Sequence, residues 1–327
     1  MPLIQITNTY SGDVLEIVKK EVPDGFSIRL LSENTTDALC DAVADADYIL
    51  ASGRVKINMS VLEKANKLKM IQRTGVGLDS LDLDAIKSRN IPIYVNSGIN
   101  TESVAEHTIL LILASLRRLT EINRTTKSGI WKKQAQGIRT RELSGRTVGI
   151  IGMGNIGQRT ARLLKVFGAD VRYYDEYRLK EDKESELGIQ YSELDKLFEA
   201  SDIITLHCPL TDSSRYIINI GSMSSMKDGV IIVNTARGKL INEADLVNAL
   251  KKGKVGFAGI DVYEEEPPVS TELSALDNVI MTPHIAGVTY DSFRCMMHDA
   301  MDNMRRYEAG LLDDIEQYRL KQRVLYG

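Results

Sequence analysis

The chain has 327 residues, 43% of them hydrophobic and 26% charged, with a formal net charge of −4. These ordinary globular values suit two domains of about 100–200 residues each and give no reason to expect nucleic acid or an acidic membrane as partner. The start of the chain lacks a signal-peptide pattern, the longest apolar run, Ile109 to Ala114, is far short of a membrane span, and Cys40, Cys208 and Cys295 lie far apart without metal-ligand spacing, so a cytoplasmic protein with free thiols is expected.

Residues 1 to about 95 alternate short apolar runs with amphipathic stretches. Leu3 to Thr7, Phe26 to Leu30, Tyr48 to Ala51, Met70 to Gln72 and Ile91 to Val95 read as strands. Cap chemistry at Ser32 to Asp37 and at Leu81 to Asp84 marks helices between them. Strands separated by helices predict a parallel sheet covered on both faces, a small doubly wound unit without a dinucleotide fingerprint. Asn100 to Leu119 then predicts a long buried helix, with Thr101 or Ser103 as cap and Arg117 and Arg118 facing its carboxyl end. A polar, extended segment is expected at Gly129 to Lys133.

Val148 to Ile151 has the continuous apolar character of a strand buried on both faces, and Gln158 to Phe167 repeats Ala161, Leu164 and Phe167 at helical spacing. Between them Gly152-Met153-Gly154-Asn155-Ile156-Gly157 reads G-x-G-x-x-G. In that setting the first glycine permits a tight turn, the second lets a pyrophosphate approach the backbone, and the third lets helix pack on strand. The next strand, Asp170 to Asp175, ends in an acid eighteen positions after Gly157. Asp175 is placed to hydrogen-bond both ribose hydroxyls of an adenosine and to repel a 2′-phosphate, which selects NAD over NADP.

Further strands are expected at Ile203 to Cys208, Val230 to Thr235, Phe257 to Val262 and Val279 to Thr282, with helices over Tyr191 to Phe198, Ile220 to Met226 and Glu243 to Lys252. A last helix is expected over Tyr290 to Tyr307. Ligands of such sheets bind beyond the carboxyl ends of the strands, so Pro209, Arg237, Glu266 and His284 attract notice. Arg237, in Asn234-Thr235-Ala236-Arg237-Gly238, carries a planar fork that holds a carboxylate bidentately. In Asp261-Val262-Tyr263-Glu264-Glu265-Glu266-Pro267, Glu264 and Glu265 read as a solvated acidic pair. His284, in Pro283-His284-Ile285-Ala286-Gly287, is one of four histidines in the chain.

These motifs, over residues 45 to 310 or so, resemble the D-isomer-specific 2-hydroxyacid dehydrogenase family. The resemblance implies a catalytic triad of Arg237, Glu266 and His284. It implies that Gly152, Gly154, Asn155, Ile156, Gly157 and Asp175 hold the cofactor, NAD. His207, Cys208 and Pro209 would line the adenosine pocket, Asp261 would meet the nicotinamide amide, and Ser103, Thr235, Ala236, His284 and Gly287 would lie against the dinucleotide. Gly75, Val76 and Gly77 resemble the loop whose backbone N–H groups hold the substrate carboxylate, with Ser52 and Gly53 beside it. The implied fold is α/β: a doubly wound Rossmann cofactor domain, 101–288, inserted into a flavodoxin-like doubly wound substrate domain, 1–100 and 289–327, with the active site between them. A homodimer is implied. The implied reaction interconverts a small 2-keto acid, such as hydroxypyruvate or glyoxylate, with its D-2-hydroxy acid, His284 serving as general acid and base and Glu266 as its partner. D-3-phosphoglycerate is the alternative substrate, although Arg54 is shifted and Ser52 stands where a phosphate-binding basic residue aligns. A phosphite-oxidising relative shares the triad. Formate dehydrogenase resembles the chain less, having Gln where Glu266 stands. A corepressor on the same fold, using dinucleotide as a conformational ligand, is the reading from a different class.

Overall fold

The computed structural model describes residues 1–53, 55–75, 77–268 and 272–320. They form two compact units: Met1–Asn100 together with the chain from Thr289 onward, and Thr101–Val288. The first contains β1 (Leu3–Ile6), α1 (Gly12–Glu21), β2 (Ser27–Leu30), α2 (Thr36–Ala42), β3 (Tyr48–Ala51), α3 (Met59–Lys64), β4 (Met70–Arg73), α4 (Leu83–Ser88) and β5 (Ile93–Val95). The strands pair in parallel in the order β2-β1-β3-β4-β5. Thr35, Asn58 and Asp82 start α2, α3 and α4 by accepting the backbone N–H of Ala38, Val61 and Ala85. The central strands β3 and β4 are buried along their whole length, as parallel strands covered on both faces must be.

The second unit runs α5 (Thr101–Leu116), α6 (Leu119–Lys127), α7 (Lys133–Gly137), β6 (Thr147–Ile151), α8 (Asn155–Val166), β7 (Asp170–Tyr174), α9 (Glu181–Leu187), β8 (Gln190–Tyr191), α10 (Leu194–Ala200), β9 (Ile203–Leu206), α11 (Ile220–Ser225), β10 (Val230–Asn234), α12 (Glu243–Lys251), β11 (Val255–Ile260) and β12 (Val279–Met281). Its seven strands are all parallel, in the order β12-β11-β10-β9-β6-β7-β8. The chain builds outward from β6 in one direction and from β9 in the other, so the carboxyl ends of β6 and β9 mark the switch point where such sheets bind ligands. Side chains of α10, α11 and α12 join one core and those of α5 and α8 the other. The chain then returns to the first unit through α13 (Tyr290–Glu308), which Thr289 caps and whose Met297, Ala300, Met301 and Met304 pack with Ile4, Ile6, Tyr48 and Met70.

The expected doubly wound sheets are therefore present, with local corrections. Tyr191 lies in β8, not at the start of a helix, and α10 begins only at Leu194. Around the extended segment at 129–132 the chain forms α6 and α7, neither with a buried residue. Arg118, just past the end of α5, sits at φ 50°, leads into α6, and places its guanidinium on Glu121.

Candidate active site

The glycine turn after β6 is shaped by close approaches. Gly152 has φ +97°, and a Cβ there would lie 2.4 Å from Cys208 N, so the His207–Cys208 backbone presses directly on the turn. A Cβ on Gly157 would stand 2.1 Å from Gly152 O, which is why the first turn of α8 tolerates only glycine there. Gly154 and Asn155, by contrast, are exposed, and a Cβ on Gly154 would meet nothing within 4 Å. The first-turn N–H groups of Asn155, Ile156 and Gly157 have no intrahelical acceptors, so the open backbone and the helix dipole fit the pyrophosphate of a dinucleotide.

Asp175, just past β7, binds the turn itself. Its Oδ2 accepts Met153 N at 2.6 Å and its Oδ1 accepts Tyr177 N at 2.8 Å. The His207 imidazole donates to or accepts from Thr205 Oγ1 at 3.0 Å, and burial pushes its pKa down to about 3, leaving it neutral. Burial pushes the Cys208 thiol up to about 12, and Pro209 beside it is exposed. These residues supply a neutral wall beside the turn.

Three loops then leave the neighbouring ends of β10, β11 and β12. Asn234 shapes the first: its Oδ1 accepts Ala236 N at 3.0 Å and its Nδ2 donates to Arg237 O at 2.8 Å. Arg237 Nη1 donates to Ala236 O at 2.7 Å. A Cβ on Gly238 would fall 1.9 Å from Tyr263 C, so the arginine turn lies flush against the loop that carries Glu266. Thr235 is buried and its hydroxyl, 3.0 Å from Thr108 Oγ1, faces α5.

In the second loop Glu266 Oε1 accepts Tyr263 N at 3.2 Å, and Tyr263 OH donates to Thr282 O at 2.8 Å, tying this loop to the third. Glu264 is not solvated as expected. Its Oε1 accepts Glu243 N at 2.8 Å, its Oε2 accepts Tyr216 OH at 3.0 Å, and its own N–H donates to Glu243 Oε1 at 2.6 Å. Glu265 is exposed.

In the third loop His284 adopts φ +55° and its Nδ1 lies 2.7 Å from Glu266 Oε2. Burial raises the Glu266 pKa, but the His284 hydrogen bond and charge, the Tyr263 N–H and the Arg237 charge outweigh it and hold the carboxyl below the ordinary glutamate range. Asp261 is fully buried, and its carboxylate accepts Thr282 Oγ1, Ile285 N and Ala286 N. Gly287 closes the loop.

Ser103 stands in the first turn of α5, where Glu102 forms a bidentate pair with Arg159 of α8. In the first unit, Ser52 is turned inward: its N–H donates to Thr7 Oγ1 at 2.8 Å and its hydroxyl lies 3.2 Å from the same atom. Gly53 is exposed, Gly75 and Gly77 follow β4 half-buried, and Val76 lies outside the described residues. Asn234, Gly238 and Tyr263 are organising residues that the sequence reading passed over. The Asn-x-x-Arg-Gly spacing was the available signal for the first two, since Asn shapes turns with its side chain and Gly permits close approach.

A doubly wound sheet with a glycine cradle at its switch point and an arginine, a glutamate and a histidine at adjoining strand ends defines the class of dinucleotide-dependent α/β oxidoreductases. Residues 109–286 match the model of the D-isomer specific 2-hydroxyacid dehydrogenase NAD-binding domain. The chain is 41% identical over 261 residues to a hydroxypyruvate reductase of Thermotoga maritima, covering 79% of this chain and 83% of that protein. It is 37% identical over 291 residues to a D-3-phosphoglycerate dehydrogenase of Archaeoglobus fulgidus, covering 88% of this chain but 54% of that longer protein. The crystal structure of a D-lactate dehydrogenase from Aquifex aeolicus complexed with NAD and lactic acid superposes with a TM-score of 0.86 at 30% identity, covering 97% of this chain and 98% of that one. The chain belongs to the D-isomer specific 2-hydroxyacid dehydrogenase family. It is accordingly an NAD-dependent dehydrogenase acting on CH–OH donors. No described helix is long and apolar enough to cross a membrane.

Proposed function

We propose that this enzyme interconverts a small 2-keto acid and its D-2-hydroxy acid, with His284 as general acid and base, Glu266 as its partner and Arg237 as the carboxylate clamp. The observation that carries the reading is the 2.7 Å bond between His284 Nδ1 and Glu266 Oε2, beside an arginine whose charge reaches Glu266. With Nδ1–H given to an ionised carboxylate, Nε2 is the nitrogen that hands a proton to the substrate oxygen and takes it back in the reverse direction. Arg237 holds the carboxylate through its fork. NAD, held by Gly152, Gly154, Asn155, Ile156, Gly157 and Asp175, supplies or accepts the hydride. Asp261 is assigned to the nicotinamide carboxamide by its place in the motif alone, its carboxylate being fully buried against Thr282 Oγ1, Ile285 N and Ala286 N.

Hydroxypyruvate or glyoxylate is the preferred substrate. The inward Ser52 offers no charge to a phosphate, yet the phosphoglycerate dehydrogenase relatives keep D-3-phosphoglycerate as the second reading. A homodimer is the reading the resemblance carries, and the exposed Leu110, Leu119, Ile130, Trp131 and Ile138 offer apolar surface for it. A cytoplasmic setting suits three cysteines outside any disulfide. NADH consumption measured with hydroxypyruvate, glyoxylate, pyruvate and 3-phosphohydroxypyruvate tests the function: turnover above about 1 per second with one of them supports it, and failure with all favours a dinucleotide-binding regulator. Light scattering in solution tests the dimer.

A further inference from the structure

His284 is held in a backbone conformation that only its loop imposes. Its φ of +55° lies in the left-handed region that non-glycine residues avoid, so the surrounding structure must overdetermine it. One residue does most of that. Asp261 O accepts His284 N at 2.8 Å, Asp261 Oδ1 accepts Ile285 N at 2.9 Å and Thr282 Oγ1 at 2.6 Å, and Asp261 Oδ2 accepts Ala286 N at 2.9 Å. The loop is wrapped around a fully buried carboxylate.

The chain of donors continues one step further. An ionised carboxylate only accepts, so the 2.6 Å bond commits the Thr282 hydroxyl proton to Asp261. Thr282 Oγ1 then has only lone pairs to offer, and the approach of His107 Nε2 at 3.1 Å is a donation from the ring. His107, on the second turn of α5, therefore carries its proton on Nε2. Its ring also lies 3.8 Å from Asp261 Oδ1. The direction is fixed throughout: His107 N–H to Thr282 O–H to Asp261 carboxylate, whose oxygens receive the Ile285 and Ala286 amides that directly follow His284.

We infer that His107 and Thr282 are positioning residues for His284, aligning the Asp261 carboxylate so that it holds the histidine loop in its left-handed bend. This rests on the reading of His284 as the acid and base. A carboxylate that has lost its hydroxyl donor, and a loop that has lost one of its anchors, would let the imidazole wander from the substrate oxygen while the glycine cradle stays intact. Misplacement of a reacting group by an ångström costs up to about a hundredfold in rate.

The test uses the full-length enzyme and the substituted forms T282V, T282S, H107L and H107Q, with H284A as control. Thr282→Val should lower kcat by about tenfold or more with NADH affinity, read by fluorescence titration, within about threefold of the original. Thr282→Ser, which restores the hydroxyl, should recover most of the rate. His107→Leu should lower kcat by about threefold or more, and His107→Gln, whose amide N–H reaches where Nε2–H stood, should recover it. The double variant T282V/H107L should be no slower than T282V, because the chain is already broken at Thr282. Hydrogen exchange of the Ile285 and Ala286 amides should quicken in T282V and H107L and not in T282S or H107Q. Should T282V not fold, the comparison of H107L with H107Q decides by the same criteria. Unchanged kcat and exchange in the hydrophobic variants, or a T282S as impaired as T282V, overturns the inference. An H284A enzyme that keeps its turnover overturns the acid–base reading itself, whereas an inactive H284A beside a fully active T282V overturns the positioning chain alone.

Discussion

His284 Nδ1 and Glu266 Oε2 are 2.7 Å apart, and this one bond makes the two nitrogens of the imidazole inequivalent. Glu266 is held below the ordinary glutamate range and so is ionised across neutral pH, which places a full negative charge against the ring. The bond that holds Glu266 down couples its charge to the ring, and in the proposed mechanism reduction uses the protonated ring and oxidation the neutral one. Glu266→Gln keeps the shape and removes the charge. The alkaline fall of the reduction profile should move to lower pH, and the rise of the oxidation profile should move the same way, measured as kcat/KM against pH in both directions. His284→Ala should abolish most turnover both ways with NADH affinity nearly unchanged.

Arg237→Lys should lose far more than a swap of one cation for another would cost elsewhere. An ammonium cannot reproduce the planar fork, and the turn set by Asn234 and Gly238 aims a guanidinium of fixed reach. A fall of about a hundredfold or more in kcat/KM for the keto acid is expected, with NADH binding preserved. Titration showing the opposite split would reassign Arg237 to the dinucleotide.

Asp175 should make NADH much the better cofactor, by at least about tenfold in kcat/KM over NADPH. Asp175→Ser should narrow that ratio. It should also weaken NADH binding somewhat, because the carboxylate that accepts Met153 N braces the glycine turn. Arg178, a candidate to receive a 2′-phosphate, is committed to Glu184 through bonds of 2.9 and 3.0 Å.

That pair supplies a pH signature of stability. The Arg178 guanidinium, then the Tyr173 hydroxyl, hold the Glu184 carboxyl down at about 2 against an ordinary 4.5. A group depressed on folding contributes stability that is fully present above its unfolded value and is lost as pH falls through the folded one. Glu184→Gln should therefore lower Tm by about 2–6 °C at pH 7, and the gap to the original should close progressively between pH 4.5 and 2, read by calorimetry. A gap constant with pH would mean that packing, not charge, is what the substitution removes.

Thiol chemistry offers a simpler check. Cys295 is exposed and Cys40 buried, while burial pushes Cys208 up to about 12. Titration with a disulfide reagent at pH 8 should find one fast thiol, lost in Cys295→Ser, and two slow ones.

The fold was legible because parallel strands buried on both faces print as unbroken apolar runs: Val230 to Val233 and Ile203 to Leu206 leave little choice of state. The ends of those runs then point to Arg237, Glu266 and His284 as residues of one sheet edge. Elements with little to bury were not legible. α6 and α7 have no buried residue, so no core anchors their pattern, and β8 is two residues long. Glu264 was misread because its partners, Tyr216 and Glu243, lie 48 and 21 positions away, a distance over which a run of glutamates gives no hint. Asp261 is a similar case: its carboxylate faces loop amides that only the folded bend brings round.

The insertion of one unit inside another has a consequence for synthesis. Ile4, Ile6, Tyr48, Leu50 and Met70 share a core with methionines of α13, which begins about 190 residues after Asn100. At roughly 5–20 residues per second, the ribosome leaves that face of the five-stranded sheet without its covering helix for about 10–40 s. Thr101–Val288, being contiguous, has all its strands in hand by then. The nascent chain thus finishes its middle before its beginning, and the amino-terminal sheet is the part that needs shelter, by a chaperone, until α13 emerges.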